Sequence, residues 1–296
     1  MAYRPGVSVI IPCYESWPLL HRTLTCVVAD CDRLGGQWEV IVVDNDSGTP
    51  TLDALLGFAS RRQGVNVIQR TGLEDRHFQP GAARNIGIES ARFESLVFLD
   101  ADCIPARQTI SSYRALTARD YHTVYLGHRV FIDASSCHTA SVAVDRTVLT
   151  RAPRVASASN YGHPIDRRMD ELRSLETHPR PYDCLFGCNF ALHRSCLAEH
   201  RFNPAFDGRW GYEDIELGYR LHGAGRCFRY VPTAYVFHQE AEAVLRDRGA
   251  ERRRNFAIAA TLIPGFEEYR RTSARVCPVP EEPLTTVGPD PRRAGI

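Results

Sequence analysis

Lysine is absent from the sequence: all 36 basic residues are arginine, set against 35 acidic residues. The resulting net charge of +1 excludes the strong positive charge by which many proteins bind nucleic acid or anionic membranes. Arginine codons are rich in GC, so the missing lysine indicates a GC-rich genome and says little about function. We therefore expect no nucleic-acid partner.

Long hydrophobic runs are missing as well. The longest later apolar stretch, Phe256 to Ile263, has eight residues, whereas a helix needs about 20 to span a bilayer. The first residues, MAYRPGVSVIIPCYE, lack the apolar segment of a secretory signal. These absences predict a soluble, cytoplasmic chain with no transmembrane segment.

The ten cysteines include no CxxC pair, and disulfides are rare in a reducing cytosol, so a disulfide framework is not expected. Cys184, Cys188 and Cys196 come nearest to the spacing of metal ligands; buried or surface thiols are the favoured interpretation, and a structural zinc site stays open. The content of 44% hydrophobic and 24% charged residues is that of a globular domain, which excludes a disordered or fibrous chain.

The first hundred residues alternate between apolar runs and segments of helical periodicity. The predicted strands are Val7–Ile11, Trp38–Val43, Val65–Gln69 and Ser95–Leu99, and the predicted helices are 18–33, 52–62 and 81–91. Strands that are apolar throughout are typical of a parallel sheet with helices on both faces. The predicted fold class is therefore α/β, with a mostly parallel sheet flanked by helices.

Ligands of such sheets bind beyond the carboxyl ends of the strands. Pro12–Glu15, Asp44–Asp46 and Asp100–Asp102 follow three of the predicted strands, which locates the expected site at this edge. Later in the chain the predicted elements are strands at 123–132, after Phe186, at 227–231 and at 234–237, and helices at 167–175, 213–221 and 242–256.

Two carboxylates end the fourth predicted strand, in the run FLDADCIP (98–105). Asp100 and Asp102 suit a hard divalent cation such as Mn²⁺ or Mg²⁺, which usually also binds phosphate oxygens of a substrate. Because many surface turns contain such a pair, the pair indicates a metal site only when other motifs accompany it.

An acidic pair opens the predicted helix 213–221, in the run RWGYEDIELGYRL (209–221). The helix dipole keeps Asp214 ionised, and an ionised carboxylate can accept a proton from a hydroxyl. In isolation, Glu213 and Asp214 are better explained as a helix cap. His238, in the run FHQE after a predicted strand, is on its own better explained as an ordinary surface or core histidine than as a metal ligand.

Together these runs resemble the metal-dependent nucleotide-sugar glycosyltransferases of family 2, which have the A-type fold. The resemblance is strongest to the catalytic modules of bacterial chondroitin-type polymerases and weaker to animal β-1,4-galactosyltransferases. It extends from about Val7 to Glu240, in the family's order. It rests on VSVIIPCYE, VVDNDS, GAARNIGI, FLDADCIP, GHRVFIDAS, FGCNFAL, WGYEDIELGYRL and FHQE.

The resemblance implies roles for the matching residues. The nucleotide-sugar would be bound by Pro12, Tyr14, Glu15, Asp44, Asp46, Arg84, Asn85, Asp100 and Ala101. The metal, Mn²⁺ or Mg²⁺, would be bound by Asp100, Asp102 and His238. Asp214 would be the base with Glu213 beside it, and the acceptor would meet Asn189, Trp210, Gly211 and Tyr212. Helix-surface polarity for Arg84 and Asn85, and a core position for Trp210, stay open as alternatives.

The resemblance also implies a division of the chain. Residues 1–104 would be the nucleotide-sugar-binding half, 105–240 the acceptor-binding and catalytic-base half of the same domain, and 241–296 a C-terminal helix with a loosely ordered tail. The sequence departs from the family in Gly187-Cys188-Asn189, where the family has Gly-Gly-Asn, and at Tyr212, where it has Gly. Both changes place a larger residue where sugar and acceptor should lie.

The implied function is transfer of a sugar, with inversion, from a UDP-sugar to a hydroxyl of a soluble or peripheral acceptor: a saccharide, a glycolipid or a natural product. Two alternatives remain, a sugar-phosphate nucleotidylyltransferase and a non-catalytic nucleotide-sugar or metal-binding module. A nucleotidylyltransferase requires a Gly-rich phosphate loop with a basic residue after the first strand, and the run IPCYES contains neither. The sequence leaves open whether the chain forms a homodimer.

Overall fold

The computed structural model describes residues 3–73, 79–137, 144–157, 160, 162–240 and 249–272, with side chains from 252 onward in the last range. The strands are β1 (Arg4–Cys13), β2 (Trp38–Asn45), β3 (Val65–Arg70), β4 (Phe93–Leu99), β5 (Cys103–Pro105), β6 (Thr123–Leu126), β7 (Arg129–Asp133), β8 (Asn189–His193), β9 (Cys227–Tyr230) and β10 (Val236–Glu240). The helices are α1 (Trp17–Leu34), α2 (Thr49–Ala59), α3 (Pro80–Ser90), α4 (Thr109–Thr117), α5 (Arg146–Arg151), α6 (Met169–Arg173), α7 (Glu213–Gly223), α8 (Gly249–Leu262) and α9 (Phe266–Thr272).

The main sheet has seven strands in the order β3-β2-β1-β4-β8-β6-β9. The first four are parallel and joined through α1, α2 and α3, as the alternating pattern predicts. β8 runs antiparallel to both of its neighbours, and β6 and β9 are again parallel. The sheet is therefore mostly parallel, and the predicted α/β fold class is confirmed.

Both faces of the main sheet are covered. Ile10 and Ile11 are neighbours in β1, have no exposed surface, and belong to different hydrophobic clusters on the two faces. One cluster includes residues of α3, α7 and α8, and the other includes residues of α1 and α4. Burial on both faces is the physical reason why the strands are apolar at consecutive positions.

The structure breaks the predicted strand 123–132 in two. β6 ends at Leu126 and joins the main sheet, whereas β7 pairs with β10 in a second sheet of order β5-β10-β7. The break falls at Gly127, where a Cβ atom would lie 1.8 Å from the carbonyl oxygen of Ala234, so only glycine fits this contact.

The later elements shift by a few residues. The helix predicted at 167–175 is α6 followed by a 3₁₀ turn, Leu175–Thr177. His238 lies within a strand, β10, and not after one. Residues 242–248 of the predicted C-terminal helix, and the predicted tail 273–296, lie outside the described residues.

Candidate active site

The carboxyl ends of β1, β2 and β4 meet at one edge of the main sheet. The parallel register sets Cys13 beside Asp44, and Ile10 beside Phe98. The runs that follow these strands are therefore neighbours, as the strand-end argument predicts. This edge brings together Glu15, Asp44, Asp46, Asp100 and their surroundings.

Carboxylates hold the turn that leads from β2 into α2. Both oxygens of Asp44 accept hydrogen bonds from Ser47, one from its hydroxyl at 2.5 Å and one from its N–H at 3.0 Å. Glu15 Oε1 accepts from the N–H of Gly48 at 2.5 Å, and Oε2 accepts from the Thr51 hydroxyl at 2.9 Å. Asp44 and Glu15 thus fix the loops at which a nucleotide is expected, and their direct contact with it stays a prediction.

Arg70 is a residue of this edge that the sequence analysis missed. It ends β3, and its guanidinium donates to Asn45 Oδ1 at 2.9 Å and to Gln79 Oε1 at 2.8 Å. Nearby, Asp46 Oδ2 accepts from the N–H of Leu73 at 3.0 Å. The strand-end argument, applied to β3 as it was to its neighbours, would have found this arginine.

Arg84 joins two acidic groups beneath the site. Its side chain is 3% exposed; Nη2 donates to Asp100 Oδ1 at 2.7 Å, and Nη1 donates to Glu213 Oε1 at 3.2 Å. Helix-surface polarity is therefore wrong for Arg84. The Asn85 amide exchanges two hydrogen bonds of 2.9 Å with the backbone of Phe202, so both of its polar atoms are used in packing α3.

The acidic pair at the start of α7 faces this arginine. Asp214 Oδ2 accepts from the N–H of Gly187 at 2.8 Å, and Oδ1 accepts from the N–H of Ile215 at 2.8 Å. Burial raises the pKa of Asp214, although the Gly187 N–H lowers it. Burial and the neighbouring Asp214 raise the pKa of Glu213 to about 7, against the lowering effect of Arg84. Asp214 is partly exposed and has a raised pKa, which suits a proton acceptor.

Asp102 and His238 face each other across the end of β5 and β10. His238 Nε2 lies 3.6 Å from Asp102 Oδ2, and Nδ1 lies 2.8 Å from Glu240 Oε1. Although burial lowers the pKa of His238, Asp102 and Glu240 raise it to about 9. A carboxylate and an imidazole nitrogen at this separation fit a divalent cation, with Glu240 orienting the ring from behind.

Cys103 is the third metal-ligating side chain here, and the sequence analysis gave it no role. One ligand atom each of Asp102, Cys103 and His238 lies within 4.8 Å of the other two, and no other described residues form such a group. Asp100, also predicted as a ligand, accepts a hydrogen bond from Arg84 through Oδ1, and its contact with a metal stays a prediction. Cys184, Cys188 and Cys196 do not gather into a metal site within the part of the chain that the structure describes.

Two residues predicted at the acceptor are buried in the fold. Asn189 has no exposed surface; Oδ1 accepts from the Tyr113 hydroxyl at 2.9 Å, and Nδ2 donates to the carbonyl oxygens of His128 and Ala234. Both polar atoms of the buried side chain are thus bound within the fold, which contradicts the predicted contact with the acceptor.

Tyr212 is 4% exposed and has a left-handed φ of 72°. Its ring packs against aromatic residues of α8 and α9 and does not line the predicted acceptor pocket.

The loop before α7 is held by α8, which the sequence did not reveal. Asn255 Nδ2 lies within hydrogen-bond distance of the carbonyl oxygens of Phe206, Arg209 and Gly211, at 3.1 to 3.3 Å. Trp210 is partly buried and lies under the Arg252 guanidinium, 5.5 Å from ring centroid to Cζ. A lone asparagine in a helix carries no motif, so only the structure could assign this contact.

Known structures identify the fold. The mannosyltransferase PcManGT of Pyrobaculum calidifontis, solved with GDP-Man and Mn²⁺, is similar over 88% of this chain and 65% of its own, with a TM-score of 0.55 and 21% identity. Residues 1–349 of TarS from S. aureus are similar over 92% and 78%, with a TM-score of 0.54 and 15% identity. The fold is that of the A-type glycosyltransferases.

Sequence relatives identify the family. Residues 8–153 match the model of the family described as "Glycosyl transferase family 2". Chondroitin synthase of Escherichia coli is 27% identical over 90% of this chain and 39% of its own length, and that of Pasteurella multocida is 26% identical over 79% and 25%. Validoxylamine A glucosyltransferase of Streptomyces hygroscopicus is 30% identical over 75% and 52%. Residues 8–153 therefore form a glycosyltransferase family 2 domain, which disfavours the sugar-phosphate nucleotidylyltransferase and leaves the non-catalytic alternative to the activity measurements below.

The chain spans about a quarter to two fifths of the length of the synthases that it matches. Among the described residues, no helix combines the length and the apolar character needed to cross a bilayer.

Proposed function

We propose that this glycosyltransferase binds a UDP-sugar with the help of a divalent cation, Mn²⁺ or Mg²⁺, and transfers the sugar with inversion to a hydroxyl of a saccharide, glycolipid or natural-product acceptor. One observation carries the proposal: Arg84 connects Asp100, next to the candidate metal site, with the acidic pair at the start of α7. A cation site and a proton acceptor thus share one edge of the sheet. The cytoplasmic location and a homodimer stay predictions.

The proposed step is a single displacement at the anomeric carbon. Asp214 accepts the proton of the acceptor hydroxyl while its oxygen forms the new bond from the face opposite the leaving diphosphate, so the configuration inverts. Asp102 and His238 would hold the cation, which neutralises charge on the diphosphate when bound. Arg84 keeps Asp100 and Glu213 in place, and the Gly187 N–H positions the Asp214 carboxylate at 2.8 Å.

The similar proteins support a nucleotide-sugar as the donor, but they do not identify its nucleotide or its sugar. One structural neighbour was solved with GDP-Man and Mn²⁺, and one relative is a glucosyltransferase, so the nucleotide and the sugar of this chain both need direct measurement. Nucleotide release should therefore be measured across UDP- and GDP-sugars, with and without chelator. Full turnover in excess chelator would contradict the metal requirement.

The base is tested by Asp214→Asn. The amide keeps the size of the side chain but cannot accept the proton, so turnover should fall by about two to four orders of magnitude while donor affinity changes little. Asp170→Asn, at an exposed position outside the site, is the matched control and should leave transfer unchanged. Transfer within about threefold of wild type in Asp214→Asn, or a product of retained configuration, would refute the assignment.

A further inference from the structure

A thiol stands directly opposite the histidine of the candidate metal site. β5 and β10 are antiparallel, and their register pairs Cys103 with His238. Residues that face each other in this way have their side chains on the same side of the sheet. Asp102 is the residue before Cys103, and the three ligand atoms lie within 4.8 Å of one another. The pairing of β5 with β10 therefore brings together an oxygen donor (Asp102), a sulfur donor (Cys103) and a nitrogen donor (His238).

The donor set differs from the one that a hard cation prefers. Mg²⁺ and Mn²⁺ favour oxygen ligands, whereas thiolate and imidazole together favour Zn²⁺ and other thiophilic ions. Around one tetrahedral Zn²⁺, neighbouring ligand atoms lie about 3.5 Å apart. Asp102 Oδ2 and His238 Nε2 are 3.6 Å apart, which is close to this separation.

A second thiol lies against the first. Cys188 is buried, and its thiol interacts electrostatically with that of Cys103. It stands in the Gly187-Cys188-Asn189 run, where the resemblance to family 2 would place glycine. Cys103 Sγ also donates to Asp102 Oδ1 at 3.4 Å, so the thiol proton already points at a ligand of the site.

We propose that Asp102, Cys103 and His238 form a binding site for a thiophilic divalent cation, with Zn²⁺ as the biological example and the Cys103 sulfur as a direct ligand. Binding forms the metal–sulfur bond and releases the thiol proton to solvent. Three protein ligands leave the fourth position open. The inference rests on the proposed function because the site is the same, and it adds the Cys103 sulfur to the ligands, so that the site accepts a thiophilic ion as well as Mn²⁺ or Mg²⁺. It is tested without donor or acceptor.

The test is a titration of the full chain with Co²⁺, which replaces Zn²⁺ and reports a sulfur ligand through a thiolate-to-cobalt charge-transfer band. We expect this band in the wild type and its loss in Cys103→Ser, with Zn²⁺ affinity lowered by about 10- to 100-fold or more. Because serine keeps a hydroxyl beside Asp102, Mn²⁺ binding should change little. Cys103→Ala provides a second variant should the serine disturb folding.

Cys31→Ala is the matched control, since Cys31 is equally buried but lies on α1. It should retain the charge-transfer band and Zn²⁺ affinity. A Co²⁺ complex without the band, or a band that survives in both Cys103 variants, overturns the proposal and leaves Cys103 as a hydrogen-bond donor to Asp102. A band lost only in Cys188→Ser assigns the sulfur to the other thiol. Loss of metal-dependent transfer alone does not bear on these results.

Discussion

At the scale of single residues, Arg84 binds two carboxylates at once. Arg84→Ala leaves the buried Glu213 without its partner and also removes the partner of the partly exposed Asp100. Breaking a buried ion pair typically costs about 3–5 kcal/mol of unfolding free energy. Urea denaturation measures the loss. Arg173→Ala removes an exposed pair with Asp170 and should cost less than about 1 kcal/mol. Equal losses in the two variants would show that the bridge does not stabilise the fold.

The backbone of Gly187 packs directly against the guanidinium of Arg84. A Cβ atom at this position would lie 2.5 Å from the guanidinium, and the Gly187 N–H binds Asp214. The glycine is thus required by the close approach of a charged side chain, which the FGCNFAL run could not reveal.

Glu213 should make stability depend on pH near neutrality. Its pKa of about 7 in the folded chain exceeds the ordinary value of 4.5, so the folded state binds the proton more tightly than the unfolded state does. Its contribution is therefore complete at acidic pH and is lost as the pH rises towards and through 7, with a slope of at most about 1.4 kcal/mol per pH unit. Denaturation at a series of pH values should show a flatter profile in Glu213→Gln. Parallel profiles would contradict the raised pKa.

Among the elements, α3 packs against β1 through a glycine. A Cβ atom on Gly87 would lie 2.4 Å from Ile10 Cγ2, so Gly87→Ala should lower the unfolding free energy by about 1–3 kcal/mol through overpacking. Gly57, in α2, has room: its Cβ atom would meet only Arg61 Nη1 at 3.7 Å. Gly57→Ala should therefore raise stability by about 0.4–1 kcal/mol. The two helix glycines should change the denaturation midpoint in opposite directions, and a shift of the same sign in both would refute the packing argument.

Element boundaries follow the local pattern where that pattern is strong. β2 was predicted at 38–43 and is Trp38–Asn45, and α7 was predicted at 213–221 and is Glu213–Gly223. The strand predicted at 123–132 fails because both of its halves are apolar. The structure breaks the strand at Gly127, beside the carbonyl oxygen of Ala234, and the two halves join different sheets.

For the whole molecule, ligand binding should stabilise the fold. A cation and a nucleotide that bind only the folded chain raise the unfolding free energy by about 2.7 kcal/mol at a hundredfold excess over the dissociation constant. Thermal unfolding with Mn²⁺ and UDP, singly and together, measures this effect. Asp102→Ala should abolish the joint increase, whereas Asp170→Ala should keep it. A full increase in Asp102→Ala would exclude Asp102 from the cation site.

The α/β fold and the edge at which the site lies could be predicted from the sequence, because apolar periodicity and strand-end carboxylates are local patterns. The Glu213–Asp214 pair and His238 were found in the same way. Which of these groups contact each other follows from the folded structure: Arg84 binds Glu213 across 129 residues of chain, and Cys103 lies opposite His238 through the pairing of β5 and β10. Likewise Asn189 was expected at a binding position but is buried, where its amide donates hydrogen bonds to the carbonyl oxygens of His128 and Ala234. Contacts between distant segments depend on how the elements pack, and no spacing along the chain encodes them.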